Sequence, residues 1–162
     1  MSVNKYKPHL LILPEDDANR QIATGFILDI NVNKQAIKTE SRAKGWLKAI
    51  KKLEDNFLEM QTYPQRRILL LIDFDDKEDR LTLVKGIIPN ALTDRVFVIS
   101  VLSEPEKLKS ATQKSYEKIG EALAKDCSDN TYTLWNHPLL QHNKPELDRM
   151  KMEVKPFLFD RD

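Results

Sequence analysis

The strongest constraint on the fold of this chain is a set of three short, nearly continuous apolar runs. They occupy residues 9–13, 68–72 and 95–102, and each gives way to proline or polar residues. Runs of this kind are typical of strands that are buried on both faces, as in a parallel sheet. Apolar residues between the runs recur at helical spacing, which predicts helices that lead from one strand to the next.

The predicted elements alternate between strand and helix along most of the chain. Strands are predicted at residues 9–13, 35–40, 68–72 and 95–102, with 132–135 as a candidate fifth strand. Helices are predicted at residues 18–30, 42–60, 78–86, 104–126 and 145–153, with Ser41 as the cap of the second. This order predicts an α/β fold, in which residues 1–162 form a single three-layer domain and helices flank a mostly parallel sheet of four or five strands. Residues 128–162 are predicted to be an irregular C-terminal extension, with 156–159 packed back on the body.

Charge and composition narrow the classes of function. The chain has 26 Lys and Arg against 25 Asp and Glu, so its net charge of +1 favours neither nucleic acid nor a membrane surface. Its first apolar run is too short for a signal sequence or a membrane span, which predicts a cytoplasmic protein without a membrane partner. Only four glycines are present, and no glycine-rich phosphate loop occurs.

Acidic residues follow three of the predicted strands, at the point where each strand ends. Glu15 follows the first strand, Asp73, Asp75 and Asp76 follow the third, and Glu104 follows the fourth. The carboxyl ends of parallel strands meet at one edge of a sheet, so these carboxylates are expected to converge there. Carboxylates that converge repel one another, and Mg²⁺ relieves the repulsion. Asp73 and Asp75 would point the same way on an extended chain. Asp73, Asp75, Asp76 and Glu104 are therefore the predicted metal ligands.

The same acids have a purely structural interpretation. Asp16 or Asp17, at the start of the first predicted helix, can accept hydrogen bonds from the free amides of its first turn. Acids at strand ends also keep those ends soluble. Under this interpretation the chain is a non-catalytic α/β module that binds a partner protein.

A basic stripe is predicted on the second helix, opposite its apolar side. It consists of Lys44, Lys48, Lys51 and Lys52. Such a stripe can bind the phosphates of a substrate, or it can be the solvated face of an amphipathic helix.

The sequence LLILPE, which ends at Glu15, and the sequence LLLIDFD, which carries Asp73 and Asp75, together resemble the TOPRIM domain of topoisomerases, bacterial primases and some nucleases. The resemblance covers residues 9–103, with Asp16 where many members have glycine directly after the glutamate. It implies that Glu15 is a general acid or base and that Asp73 and Asp75 hold Mg²⁺. The implied function is Mg²⁺-dependent chemistry on phosphodiester or phosphate-ester substrates, a class that includes nucleic acid. The match would describe a minimal member with nuclease or phosphotransferase activity that works with a partner protein, or else an inactive relative of the family.

The sequence LLILPEDDANR also resembles the first strand and acidic pair of response-regulator receiver domains. In that family, acids after the first strand bind Mg²⁺ and an aspartate after the third strand accepts a phosphoryl group. The resemblance implies these roles for Asp16, Asp17 and Asp73, with Ser100 or Ser103 completing the set. No lysine follows a clear fifth strand, where the family has one.

Overall fold

The structure is a computed structural model that describes residues 3–77 and 79–159. Its strands are β1 (His9–Pro14), β2 (Ile37–Thr39), β3 (Arg66–Asp73) and β4 (Val96–Val101). Its helices are α1 (Asp17–Ile27), α2 (Trp46–Thr62), α3 (Asp79–Ile87), α4 (Pro105–Thr112), α5 (Tyr116–Asp129), α6 (Lys144–Glu153) and α7 (Lys155–Leu158). The strands form one parallel sheet in the order β2-β1-β3-β4. The predicted α/β class is therefore confirmed, and β1, β3 and β4 are neighbours.

Helices cover both faces of the sheet and create two separate cores. Leu10 and Ile12 of β1 point to the face that α1, α5 and the C-terminal helices cover. Leu11 and Leu13 point to the opposite face, where α2 and α3 pack. This alternation is the two-residue period of a strand, and burial on both faces explains the long apolar runs of β1, β3 and β4. Among the described residues, no helix has both the length and the apolar character that crossing a membrane requires.

Helices α1 and α5 are in direct backbone contact through two glycines. A Cβ atom added to Gly25 of α1 would lie 1.9 Å from the carbonyl oxygen of Glu117. A Cβ atom added to Gly120 of α5 would lie 1.9 Å from the carbonyl oxygen of Ile22. Only glycine therefore allows this approach, which holds α1 in place at the edge where the strands end.

Helix α2 begins later than the sequence predicted, and Ser41 does not cap it. Lys44 and Gly45 have φ angles of 68° and 135°, which lie in the left-handed region and cannot continue a helix. Gly45 is the residue before the helix, which starts at Trp46 without a side-chain cap. Ser41 Oγ instead accepts a hydrogen bond from Lys52 Nζ (3.0 Å).

The helix predicted at residues 104–126 is in fact two helices, α4 and α5. Gln113 takes a left-handed conformation (φ 54°) and ends α4. Two residues later, Ser115 Oγ accepts a hydrogen bond from the amide of Lys118 (3.2 Å) and caps α5. The prediction missed this serine as a helix start, although serine is a preferred N-cap residue.

The candidate fifth strand at residues 132–135 is wrong, since turns occupy these positions. Asp126 of α5, which is 4% exposed, binds this segment through its carboxylate. Its oxygens accept hydrogen bonds from the amide of Leu134 (2.7 Å), the amide of Trp135 (3.3 Å) and the hydroxyl of Thr131 (2.7 Å). Because a side chain takes these amides, they are not available to a neighbouring strand.

Asp126→Ala should lower the free energy of unfolding by about 3 kcal/mol, because it leaves two buried amides without an acceptor. Urea denaturation followed by circular dichroism measures this change. Asp129→Ala is the matched control, since Asp129 lies on the same helix with an exposed side chain that pairs with Lys125 at 3.7 Å. The control should change stability by less than about 0.5 kcal/mol. Equal effects of the two substitutions would contradict the anchoring role of Asp126.

The C-terminal extension is more regular than predicted and covers the outer edge of β4. Asn143 Oδ1 accepts a hydrogen bond from the amide of Ser100 (3.0 Å), and Asn143 Nδ2 donates to the carbonyl oxygen of Ser100 (2.7 Å). Glu146 Oε2 accepts from the amide of Val98 (3.0 Å). These side chains satisfy backbone groups that an open sheet edge would expose. Helix α6 confirms the predicted helix at 145–153, and the buried Leu158 confirms that residues 156–159 pack back on the body.

Candidate metal centre

The carboxyl ends of β1 and β3 lie side by side, and this brings Glu15 and Asp73 into contact. Pro14, the last residue of β1, is in register with Leu71 of β3. The amide of Glu15 donates to the carbonyl oxygen of Leu71 (2.9 Å), which extends the ladder by one residue. Glu15 Oε1 in turn accepts a hydrogen bond from the amide of Asp73 (3.3 Å). Residues that are 58 positions apart are thus joined directly at the edge of the sheet.

Three carboxylates converge at this edge, those of Glu15, Asp16 and Asp73, which we call the acidic triad. One oxygen of each lies within 4.8 Å of the others, so the triad could hold a metal ion. Asp16 is placed here by its position before α1. Its Oδ1 accepts a hydrogen bond from the amide of Asn19 (3.1 Å) and so caps the helix, as one interpretation of the sequence predicted.

Burial makes the acidic triad unfavourable for three negative charges. The side chains of Asp73 and Glu15 are only 4% and 7% exposed. Burial, together with the charges of Asp16 and Glu15, raises the pKa of Asp73 to about 9. Burial is also the main reason that the pKa of Glu15 is raised, although the amide of Asp73 acts in the opposite direction. Asp73 therefore carries a proton at neutral pH, and a divalent cation would take the place of that proton.

Buried polar atoms without hydrogen-bond partners lie in and beside the acidic triad. Asp73 Oδ1 has no partner, and neither has Asn19 Oδ1 or Asn19 Nδ2. Asn19 is 0% exposed, and its amide lies near enough to Asp73 to lower the pKa of that carboxyl slightly. Because buried polar groups are nearly always hydrogen-bonded, three such atoms beside the triad indicate a site for a ligand.

Arg80 and Tyr116 border the acidic triad, and sequence reasoning selected neither. Arg80 Nη1 donates to the carbonyl oxygen of Asp73 (2.8 Å) and to Asp75 Oδ2 (2.9 Å). Its guanidinium lies over the ring of Trp46, 4.6 Å from the centroid. Burial raises the pKa of Tyr116, the first residue of α5, and the charges of Glu106, Asp16 and Asp73 add to that rise, so Tyr116 lies within electrostatic range of the triad.

The other predicted ligands lie outside the acidic triad. β3 ends at Asp73, and Asp75 and Asp76 have φ angles of 50° and 59°, so the extended geometry expected to align Asp75 with Asp73 is not present. Asp76 Oδ2 lies 4.0 Å from Lys107 Nζ on the surface. Glu104 directly precedes α4 and makes no capping hydrogen bond there. The roles of Asp75, Asp76 and Glu104 as ligands stay predictions.

Of the four lysines predicted to bind substrate, three lie on α2 and one lies in the loop before it. Lys44 precedes α2, and its amide donates to the carbonyl oxygen of Glu15 (2.8 Å), so its backbone lies at the acidic edge. Lys48, Lys51 and Lys52 lie on α2 itself. Lys44, Lys48 and Lys51 are exposed. Their role in binding substrate stays a prediction.

The sequence contains a pattern that marks Asn19 as unusual, although the prediction did not use it. Asn19 lies three and four positions before Ile22 and Ala23, which face the core from α1. A polar residue on the apolar face of an amphipathic helix is either paired inside the protein or involved in function. Only the structure separates these two possibilities, because it shows that both side-chain amide atoms of Asn19 are buried without a hydrogen-bond partner.

Comparisons with family models, with curated proteins and with solved structures find no match to this chain. The resemblances to TOPRIM and receiver domains therefore stay predictions. What can be argued about function rests on the geometry of the acidic triad and its surroundings.

Proposed function

We propose that the acidic triad binds Mg²⁺ and that the protein acts on a phosphodiester or phosphate-ester substrate at this edge of the sheet. The observation that carries the proposal is the convergence of two buried carboxylates, of Glu15 and Asp73, with the half-buried carboxylate of Asp16, with oxygens within 4.8 Å of one another. Oxygen is the ligand that Mg²⁺ prefers, and protein-bound Mg²⁺ commonly contacts phosphate as well. The unpaired Asp73 Oδ1 fits this donor set, since a cation would serve as its partner.

Each side chain has a distinct role in this proposal. Asp16 and Asp73 hold the ion, and Glu15 exchanges a proton with the reacting oxygen. In hydrolysis, a water oxygen adds to phosphorus, the bond to the leaving oxygen breaks, and Glu15 protonates that oxygen. The proton that the attacking water loses restores the proton of Glu15. The raised pKa of Glu15 supports this role, because a general acid must hold its proton before the reaction. When bound, Mg²⁺ neutralises the charge of the phosphate.

Positive groups beside the triad support a phosphate-containing substrate. The Arg80 guanidinium already lies at this edge, where it binds the carbonyl oxygen of Asp73. The backbone of Lys44 is hydrogen-bonded to Glu15, and its side chain is exposed to solvent. Nucleic acid is the substrate class that the TOPRIM resemblance implies, with a partner protein that completes the substrate surface.

Mn²⁺ or Mg²⁺ should raise the melting temperature of the protein, because an ion that binds only the folded state stabilises it by mass action. At an ion concentration of roughly 100 times Kd the gain is about 2.7 kcal/mol. Asp16→Asn and Asp73→Asn should each lose most of the gain, because Asp16 and Asp73 hold the ion. Thermal unfolding followed by circular dichroism, with the ion titrated after removal of all metal by a chelator, measures the effect.

Asp75→Asn is the matched control for the ion titration, since Asp75 lies close by but pairs with Arg80 (2.9 Å). This variant should keep the gain. If wild type shows no gain up to millimolar Mn²⁺, the metal site is wrong, and Asp16 serves only as a helix cap in an interaction module.

Hydrolysis of bis(p-nitrophenyl) phosphate and nicking of supercoiled DNA then test the reaction. Both should require Mg²⁺ and Glu15.

One observation favours a second candidate function, a phosphoryl acceptor of the receiver type. The acidic triad combines two consecutive acids after β1 with one aspartate after β3, and it does not include Asp75. In this candidate Asp73 accepts the phosphoryl group. Beryllofluoride in the presence of Mg²⁺ should then raise the melting temperature of wild type and leave Asp73→Asn unchanged. The absence of any response to beryllofluoride, in a protein that does bind Mg²⁺, would exclude this candidate.

A further inference from the structure

Asn19 is fully buried beside the acidic triad (0% exposed), and neither atom of its side-chain amide has a hydrogen-bond partner within normal distance. Buried side-chain amides normally stabilise a fold by pairing with backbone or other side chains. An amide that pairs with nothing destabilises the fold that contains it. Asn19 is therefore a candidate for contact with a bound ligand.

The position of Asn19 directs it into the acidic triad. Its backbone amide donates to Asp16 Oδ1 (3.1 Å), which ties the first turn of α1 to one member of the triad. Its side-chain amide lies close enough to Asp73, a second member, to lower the pKa of that carboxyl. The contact between α1 and α5 through Gly25 and Gly120 prevents α1 from moving away.

We propose that Asn19 Oδ1 is a further oxygen ligand of the divalent cation that Asp16 and Asp73 hold at the acidic triad. The inference rests on the proposed function, which supplies the ion. A side-chain carbonyl is a suitable ligand for a hard cation, and a neutral one adds no further repulsion to three carboxylates. Asn19 Nδ2 then faces the carboxylate of Asp73 and donates to Asp73 Oδ1. This arrangement gives a partner to Asp73 Oδ1 and to both amide atoms of Asn19, which have none otherwise.

Two substitutions at Asn19 test the inference, and each is measured with and without the ion. Asn19→Leu has a similar volume but no polar atoms. In the metal-free protein it should raise the melting temperature, because it removes two unpaired polar atoms, while Mn²⁺ should bind at least tenfold more weakly. Asn19→Asp keeps an oxygen in place, so its Mn²⁺ affinity should be within threefold of wild type or tighter. Equilibrium dialysis with Mn²⁺ gives the affinities, and chelator-treated protein gives the melting temperatures.

Thr39→Val is the control. Thr39 Oγ1, like the amide atoms of Asn19, is a buried polar atom without a partner, but it belongs to β2 and lies outside the triad. It should leave Mn²⁺ affinity unchanged. Mn²⁺ affinity of Asn19→Leu within twofold of wild type would overturn the inference. So would a lower metal-free melting temperature for Asn19→Leu, since that is what a structural asparagine predicts. If Asn19→Leu does not fold, weak Mn²⁺ binding by Asn19→Asp overturns it. If wild type does not bind Mn²⁺, the proposed function itself is wrong. If wild type binds Mn²⁺ and Asn19→Leu binds it equally well, only the assignment of Asn19 as a ligand is wrong.

Discussion

Gly120→Ala is expected to lower the free energy of unfolding by about 3 kcal/mol, although it adds only one methyl group. The new Cβ atom would lie 1.9 Å from the carbonyl oxygen of Ile22 and 2.7 Å from the amide nitrogen of Phe26. Both atoms belong to the backbone of α1, so no side chain can rotate to make room. The two helices must separate, and this opens the core that both of them cover. Urea denaturation measures the loss of stability.

Gly86→Ala is the matched control for this prediction. Gly86 lies within α3, and a Cβ atom there would have no heavy atom within 4 Å. Alanine in an exposed helical position is more favourable than glycine by about 0.5 to 1 kcal/mol, so this variant should be more stable than wild type. Replacing glycine by alanine should thus lower the free energy of unfolding on α5 and raise it on α3. A Gly120→Ala variant as stable as wild type would mean that α1 and α5 are farther apart than described.

Asp73→Asn is expected to stabilise the metal-free protein by about 2 kcal/mol or more above pH 7, although it removes a proposed ligand. Burial and two neighbouring acids raise the pKa of Asp73 from 3.8 to about 9 in the folded protein. Between these two pKa values the folded state holds a proton that the unfolded chain has released. The stability that this proton contributes is fully present below the lower pKa and is lost as pH rises, by up to about 1.4 kcal/mol per pH unit. Asparagine is neutral at every pH and removes this dependence.

Chemical denaturation with a chelator present, at several pH values from 5 to about 9, tests the prediction on Asp73. The difference in stability between Asp73→Asn and wild type should grow as pH rises. Glu15→Gln is the informative comparison, because burial is the largest cause of the raised pKa of Asp73 and remains in that variant. It should keep most of the dependence on pH. A constant difference between Asp73→Asn and wild type across this range would contradict the raised pKa of Asp73.

Local sequence patterns predicted the elements well where periodicity alone decides them, and less well where a distant contact does. The runs that became β1, β3 and β4 are nearly all apolar, so their strand character did not depend on their neighbours. Residues 132–135 have a strand-like composition but form turns, because the carboxylate of Asp126 takes two of their amides. The start of α2 was misplaced because left-handed conformations at Lys44 and Gly45 delay the helix. Neither effect is visible in hydrophobic periodicity.

The sequence by itself indicated that Glu15 and Asp73 would lie at the same edge of the sheet, and the strand order β2-β1-β3-β4 makes them neighbours there. Two buried strands joined by crossovers must be parallel, and parallel strands bring the residues after them to one edge. Only the tertiary structure decided that Asp16, and not Asp75, completes the acidic triad. The amides of Asp75 and Asp76 donate to the carbonyl oxygens of Ser103 (3.1 Å) and Leu102 (3.0 Å), beyond the end of β4. These long-range bonds hold the chain after β3 in a turn, whereas the helix cap at Asp16 keeps its carboxylate beside Asp73.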